Sequence, residues 1–147
     1  ARDLADFETA WAARASETAS DGIGSYVPNY DGSPIVLGTP GATPGAVGEH
    51  SFTARAGHHL PPLRGAGDTW KGVEPGEGFV LLCDGAGDPG FAKEAARRGL
   101  PLRIVTGLGQ GGGYGTGFVL VRPDGFVAWC GDTPDDPAAI LARASGH

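Results

Sequence analysis

Cys83 and Cys130 are the side chains with the clearest potential for redox or covalent chemistry in this chain of 147 residues. A thiol enzyme needs a resolving cysteine or a motif that lowers the pKa of the attacking thiol. Cys83 is followed by Asp84, whose carboxylate would raise the pKa of a neighbouring thiol. The two cysteines form neither a CxxC pair nor part of a metal-ligand cluster. We therefore interpret Cys83 as a small buried hydrophobic side chain.

A glycine-rich loop over residues 107–117 contains a match to the dinucleotide-binding pattern GxGxxG, at residues 107–112 (GLGQGG). That pattern binds a pyrophosphate only where the loop opens a helix whose N-terminus meets the ligand. Residues 113–117 lead directly into a predicted strand, so no helix can follow. We interpret the loop as a flexible connection between two strands and predict no cofactor-binding residue.

The histidines suggest a metal site but lack the spacing for one. Adjacent histidines point apart in an extended chain, and no carboxylate or cysteine completes a ligand set with suitable spacing. We expect surface or packing roles for all of them. The four histidines are His50, His58, His59 and His147.

The remaining candidates for chemistry also have structural interpretations. Glu74 with Glu77 is a solvated loop, and Asp135 with Asp136 is the start of a helix. No serine or threonine lies in a recognisable triad context. The sequence therefore predicts no catalytic, cofactor-binding or metal-binding residue in this chain.

The composition indicates one loop-rich domain with a moderate core. There are 27 glycines and 12 prolines, and the net charge is -6 without a basic patch. These features argue against a nucleic-acid or membrane partner. No apolar run approaches a membrane span and no signal peptide opens the chain, so we expect a cytoplasmic protein. Methionine is absent, from which we expect a trimmed product or an excised piece of a longer protein.

The first half of the chain, residues 1–75, is predicted to be a helix followed by a Pro/Gly-rich arm. Leu4, Phe7, Trp11 and Ala15 form one apolar stripe, which predicts a helix over residues 3–19. Residues 23–47 carry aromatic and aliphatic side chains between prolines, a pattern that suits an edge strand or an irregular arm. The aromatic side chains indicate that this arm packs on a surface.

The second half, residues 76–147, is predicted to be the compact core. Its clearest unit is a β-hairpin over residues 115–131, with strands at 118–122 and 126–129 joined by the turn Arg122-Pro123-Asp124-Gly125. An apolar run at 79–83 predicts a strand buried on both faces. A helix over 89–98 follows Asp88 as its cap and ends at Gly99.

A third strand, at residues 101–106, and a last helix capped by Asp136 complete the order β-α-β-β-β-α. A βαβ unit has parallel strands, and the hairpin adds an antiparallel pair. The predicted fold is therefore α/β, a thioredoxin-like mixed four-stranded sheet with an N-terminal helix and an extended arm, forming one structural domain overall.

This topology separates the two cysteines and weakens the case for redox chemistry. One strand lies between the strands that end at Cys83 and Cys130. Two strand spacings exceed about 9 Å, whereas a disulfide requires Cα atoms within roughly 7 Å. We therefore predict free thiols. The redox members of this fold also place a proline before the hairpin, where this chain has residues 114–117 (YGTG).

Four segments together resemble the C-terminal region of FAD-dependent aromatic-ring hydroxylases of the phenol hydroxylase and dichlorophenol monooxygenase type. The resemblance runs in the same order from about residue 23 to residue 131, and the hairpin is its most specific part. The segments are residues 33–36 (SPIV), 53–62 (TARAGHHLPP), 78–82 (GFVLL) and 117–129 (GFVLVRPDGFVAW).

The resemblance implies a structural or interaction role for this chain, with no flavin bound by it. FAD and NAD(P)H are implied for the parent enzyme, whose flavin and substrate domains would be the partner unless the chain self-associates. The chain departs from the family at three places. Residues 55–57 are Arg-Ala-Gly, where the family commonly has Arg-Pro-Gly. Residues 61–62 are Pro-Pro, where the family often has Pro-His, and Cys130 lies where arginine is usual.

Two other functions stay open on the residues alone. The chain could be a small thiol-redox protein of the thioredoxin or peroxiredoxin kind that uses Cys83. It could also be a small-ligand binding module that uses the arm and the loop at residues 107–117, which would require a defined cavity. The residues leave open whether the chain is a fragment or free-standing.

Overall fold

The computed structural model describes residues 26–39, 43–47, 51–62, 76, 78–85, 87–107 and 113–147. The helix predicted over residues 3–19 lies outside these ranges, and the division at residue 75 stays a prediction. The described elements are, in chain order, β1 (Tyr26–Asn29), β2 (Gly45–Val47), β3 (Phe79–Cys83), α1 (Phe91–Arg98), β4 (Leu102–Thr106), β5 (Phe118–Val121), β6 (Val127–Gly131) and α2 (Pro137–Ala144).

Four of the strands form a mixed sheet in the order β4-β3-β5-β6. β3 and β4 are parallel, whereas β5 is antiparallel to both β3 and β6. The predicted order β-α-β-β-β-α and the mixed four-stranded sheet are therefore confirmed. β3 and β5 occupy the centre, and every residue of both strands is buried, as their continuous apolar sequences predicted.

Side chains alternate between the two faces of the sheet along each strand. Other parts of the chain cover both faces. On one face, which we call the helix face, Leu81, Cys83 and Leu120 pack with Phe91 of α1 and Leu141 of α2. The other face, which we call the arm face, is covered by the chain that precedes β3 and by Tyr114. The buried residues of the arm face are Ala54, Leu60, Val80, Leu82, Tyr114, Val119, Val121 and Val127.

Helix α1 begins two residues later than predicted, at Phe91 rather than Pro89. Gly90 has φ 121° and precedes the first helical residue. Asp88 still caps the helix, because its carboxylate accepts hydrogen bonds from the backbone N–H groups of Gly90 (3.1 Å), Phe91 (2.7 Å) and Ala92 (2.8 Å). Gly99, at φ 66°, ends the helix in the left-handed conformation as predicted.

Helix α2 begins where the sequence predicted. Asp136 has an extended backbone and accepts hydrogen bonds of 3.0 Å from the N–H groups of Ala138 and Ala139. Pro137 is the first helical residue, where its missing N–H costs nothing. Ile140, Leu141 and Ala144 form its buried stripe.

The hairpin between β5 and β6 is confirmed, and its loop has three residues, 123–125, between the paired residues Arg122 and Phe126. The N–H of Gly125 donates to the carbonyl of Arg122 (2.9 Å), and the N–H of Arg122 donates to the carbonyl of Phe126 (2.8 Å). Gly125 has φ 83°, a conformation that a glycine adopts without strain. Leu120 pairs with Trp129 and Val121 with Val127, so Ala128 is the extra residue of a β-bulge.

The arm contains more regular structure than the edge strand or irregular chain that we predicted. β1 and β2 form a two-stranded antiparallel ribbon. The arm then hydrogen-bonds along the outer edge of β6. Leu37 N–H donates to Ala128 O (2.9 Å), Gly57 N–H to Val127 O (2.8 Å), and Val127 N–H to His58 O (2.8 Å). The expectation that the arm packs on a surface is confirmed, and this surface is the edge and one face of the sheet.

Candidate functional site

Cys83 lies at the end of β3, fully buried on the helix face and paired across the sheet with Phe118. Burial raises the pKa of the Cys83 thiol, and the negative charge of Asp88 raises it further. We expected Asp84 to have this effect, but the carboxylate responsible is that of the helix cap. Cys83 therefore has the environment of an inert core thiol, as the interpretation from sequence predicted.

Cys130 lies in β6 on the arm face and is partly buried. Its Sγ donates a weak hydrogen bond to the carbonyl of Ala54 at 3.6 Å. Burial raises the pKa of the Cys130 thiol, a hydrogen bond with the backbone of Ala56 opposes this shift, and the charge of Asp132 adds to it. The thiol thus joins β6 to the arm.

Both cysteines are free, as predicted. β5 separates their strands, which confirms the reasoning from strand spacing. The structure adds a second reason, because Cys83 belongs to the helix face and Cys130 to the arm face. The two thiols point to opposite sides of the sheet, so neither can act as the resolving partner of the other.

The two adjacent histidines have different partners, in agreement with the prediction that they point apart. His58 Nε2 lies 3.3 Å from Asp31 Oδ2, in a hydrogen bond that the carboxylate accepts. His59 donates from Nδ1 to the carbonyl of Leu60 at 3.1 Å, and its ring meets the edge of Phe126. The carboxylate partner of His58 comes from 27 residues earlier in the chain, which sequence spacing could not reveal.

No group of three or more potential metal-ligating side chains occurs within the described residues. His50 and the pair Glu74 and Glu77 lie outside those ranges. Most of the GxGxxG match, residues 108–112, also lies outside them. Residues 113–117 form a turn and bends that lead into β5, where a dinucleotide site would need the start of a helix.

The arm forms a groove of about 590 Å³, lined by residues 27–28, 51–53, 55 and 58–62. β1 and the segment around His58 are brought side by side by a bridge between Asn29 and His58 and by a hydrogen bond of 2.7 Å from Tyr30 N–H to Gly57 O. The hypothesis of a ligand-binding module invoked the loop at residues 107–117. The described residues of that loop, 107 and 113–117, do not line this groove.

The groove combines apolar walls with a cationic rim. Leu60, Pro61 and Pro62 supply apolar surface, and the Phe52 side chain is 44% exposed. Arg55 is exposed beside them. Among the described residues that line the groove none is acidic, although the whole chain has a net charge of -6.

The groove is the feature that reasoning from sequence missed. The aromatic and proline residues of the arm indicated a packed surface, but the groove requires residues 27–28 and 51–62 to meet. That meeting depends on long-range backbone hydrogen bonds. A signal was nevertheless present, because the segment TARAGHHLPP combines arginine, histidine and proline without an acidic residue.

The described helices do not include one of the length and apolar character needed to cross a membrane.

Comparison with known proteins identifies the fold and the family. The family model described as "Aromatic-ring hydroxylase, C-terminal" matches residues 53–147. In the substrate-free structure of the rebeccamycin biosynthetic enzyme RebC, the matching part covers 99% of this chain and 28% of that protein, with 28% identity and a TM-score of 0.65.

Two curated relatives extend this result. The tetracenomycin B2 monooxygenase-dioxygenase of Streptomyces olivaceus is 40% identical over 44% of this chain and 15% of its own length. The FAD-dependent monooxygenase apdD of Emericella nidulans is 35% identical over 74% of this chain and 17% of its own length. The chain thus spans about a sixth of the curated relatives that it matches. The predicted resemblance is confirmed, and this chain belongs to the family of aromatic-ring hydroxylase C-terminal domains.

Proposed function

We propose that this chain acts as a non-catalytic structural and interaction domain of, or partner to, a FAD-dependent aromatic-ring monooxygenase. The observation that carries the proposal is the family match over residues 53–147, at the C-terminal end of much longer flavoenzymes. The matched part covers 17% of apdD, which is named as a FAD-dependent monooxygenase. The flavin and the aromatic substrate would then be bound by the remainder of such an enzyme.

The non-catalytic role is supported by what the reactive side chains of this chain do. Cys83 is buried with a raised pKa, and Cys130 bonds to the arm. His58 bonds to Asp31 within the arm, and His59 joins the arm to Phe126 of the hairpin. Each of these groups stabilises the fold, and the thiol-redox alternative gains no support from them.

Four finer parts of the proposal follow. The sheet order suits a thioredoxin-like domain without thioredoxin chemistry. FAD and NAD(P)H would serve the parent enzyme and not this chain. The partner would be the flavin and substrate domains, or a second copy, with no nucleic acid and no membrane. The protein would work in the cytoplasm.

The test is to isolate the protein from its native source and to measure its mass and visible absorbance. We expect a yellow protein, either as one large polypeptide or as a complex with a flavoprotein. A colourless protein of about the mass of this chain, without a flavoprotein partner, would contradict the proposal.

A second measurement tests the non-catalytic role within that flavoprotein. The substitutions Cys83→Ala and Cys130→Ala should leave the hydroxylation rate within about twofold of the native rate, because neither thiol has an activated environment. Loss of hydroxylation in a variant that retains its flavin would show that a thiol takes part in the reaction.

A further inference from the structure

We propose that the groove of the arm is the surface on which the flavin- and substrate-binding part of the monooxygenase packs, and that the segment filling it carries apolar side chains and a carboxylate facing Arg55. The inference rests on the proposed function and names the contact surface within it. It commits to a protein segment as the occupant.

Exposure and composition favour a protein interface at the groove. Within the described residues, the large hydrophobic side chains that remain exposed are Tyr30 and Phe52, each at 44%. Both belong to the arm. Phe52 lines the groove. Tyr30 packs against Phe126 with the rings tilted (4.6 Å between ring centroids), and Phe126 also contacts the groove residue His59. Aromatic side chains and arginine are the residues enriched in the centres of interfaces.

Charge favours an acidic occupant. The described residues that line the groove include no acidic side chain, although the whole chain has a net charge of -6. Across the sheet, two of the three cations of α1 already bond to a carboxylate, because Glu94 bonds to Arg97 (2.5 Å) and Arg98 (2.6 Å). Arg55 lines the groove and forms no ion pair within the described part of the chain. A carboxylate from the partner would supply one.

Position favours the preceding part of the enzyme as the source of that segment. The matched family is C-terminal in its parent proteins, so the flavin and substrate part comes earlier in those chains.

The shape of the groove argues against a small molecule as the main occupant. Small-molecule sites bury about 70–90% of the ligand surface. Ser51, Phe52, Thr53, Arg55 and His59 are all exposed along this groove. An open surface of this kind buries little of a small ligand but suits the packing of a protein segment.

The experiment uses the intact flavoprotein, or its complex, and measures amide hydrogen exchange by mass spectrometry. The test variant is Arg55→Glu, the conservative variant is Arg55→Lys, and the matched control is Lys93→Glu, which makes the same charge change on the exposed side of α1. In Arg55→Glu, we expect peptides of the flavin and substrate part that face the groove to exchange at least about tenfold faster. Arg55→Lys and Lys93→Glu should exchange as the native protein does.

Three other outcomes would overturn the inference, and each can be distinguished from a failure of the proposed function. If Arg55→Glu and Lys93→Glu give the same exchange while flavin is retained, the groove is not the interface. If the protection of the groove depends on added aromatic substrate, the occupant is a ligand. If the accelerated peptides belong to a second copy of this domain, the contact is between copies. Absence of any flavoprotein would contradict the proposed function itself.

Discussion

The two faces of the sheet are buried by different kinds of structure. On the helix face, α1 and α2 cover β3 and β5 with Phe91, Ile140 and Leu141. On the arm face, Ala54, Leu60 and Tyr114 cover the same two strands from segments that contain almost no regular secondary structure. Both arrangements exclude water, but their backbone hydrogen bonds are satisfied by different means.

The helices form hydrogen bonds within themselves, and their ends, where four N–H and four C=O groups lack such partners, are capped by Asp88, Gly99 and Asp136. The arm instead depends on the outer edge of β6 and on the hairpin turn, through bonds such as Gly57 N–H to Val127 O and Leu60 N–H to Gly125 O. An uncovered edge strand is a liability for aggregation. The arm therefore protects the sheet edge, and the edge in turn holds the arm in place.

The largest expected effect separates the cores of the two faces. Phe91→Ala on the helix face should lower the free energy of unfolding by about 3–5 kcal/mol, because the ring is fully buried between the helices and the sheet. Leu60→Ala on the arm face should cost about 2–3 kcal/mol, since an irregular segment can collapse into the space. Urea denaturation of the protein measures both. Equal costs would mean that the arm is as tightly packed as the helices.

The next effect tests how the arm is held. Gly57 has φ 88°, and a Cβ there would lie 2.6 Å from Asp31 Oδ1 and 3.2 Å from the carbonyl carbon of Tyr30. Gly57→Ala should therefore lower the free energy of unfolding by about 1–3 kcal/mol. The control is Gly87→Ala, which meets nothing within 4 Å and should change it by less than about 0.5 kcal/mol. Similar values for the two variants would show that the arm adapts without strain.

The two thiols give a probe of each face. Burial raises the pKa of both, so both should react with an alkylating reagent more slowly than a free thiol at neutral pH. The partly exposed Cys130 should react before the fully buried Cys83. Asp88→Asn should lower the pKa of Cys83 but leave that of Cys130 unchanged. A Cys83 that reacts at the rate of an unperturbed thiol would revive the thiol-enzyme hypothesis.

The same shifts predict how stability depends on pH. Unfolded thiols lose their protons near pH 8.5, at about the ordinary pKa, whereas the folded thiols retain theirs. The stability from these groups is fully present below that pH and is lost as the pH rises through the raised folded pKa. In a double variant, Cys83→Ala with Cys130→Ala, the free energy of unfolding should decline less as the pH rises into the alkaline range. Denaturation at several alkaline pH values measures this decline.

The smallest effect concerns the outer surface of α1. Hydrogen bonds from Arg97 and Arg98 lower the pKa of Glu94 to about 2. Its contribution is present above the unfolded pKa of about 4.3 and is lost as the pH falls toward 2. Because Arg97 is 65% exposed, Glu94→Gln should change stability only slightly at neutral pH. Denaturation of the native protein and the variant over this acid range should show that the difference between their free energies of unfolding shrinks. A constant difference would contradict the lowered pKa of Glu94.

The limits of prediction follow the same division between the faces. The run FVLLC, the turn RPDG and the caps at Asp88 and Asp136 are local signals, and the elements that they predicted are present within one or two residues. Helix α1 shows why a predicted boundary shifts. Asp88 caps the helix although it lies two residues before Gly90, and the helix begins after Pro89, which we predicted to be its first residue. The arm carries weaker signals, so its ribbon and its groove were not predicted.

The sequence by itself determined the order of elements from Phe79 onward, the free thiols and the family, because these depend on periodicity, turn chemistry and motifs read along the chain. Only the tertiary structure decided that His58 meets Asp31, that the two cysteines lie on opposite faces, and that residues 27–28 and 51–62 form one groove. These features depend on contacts between segments distant in sequence, and spacing along the chain carries no measure of that distance.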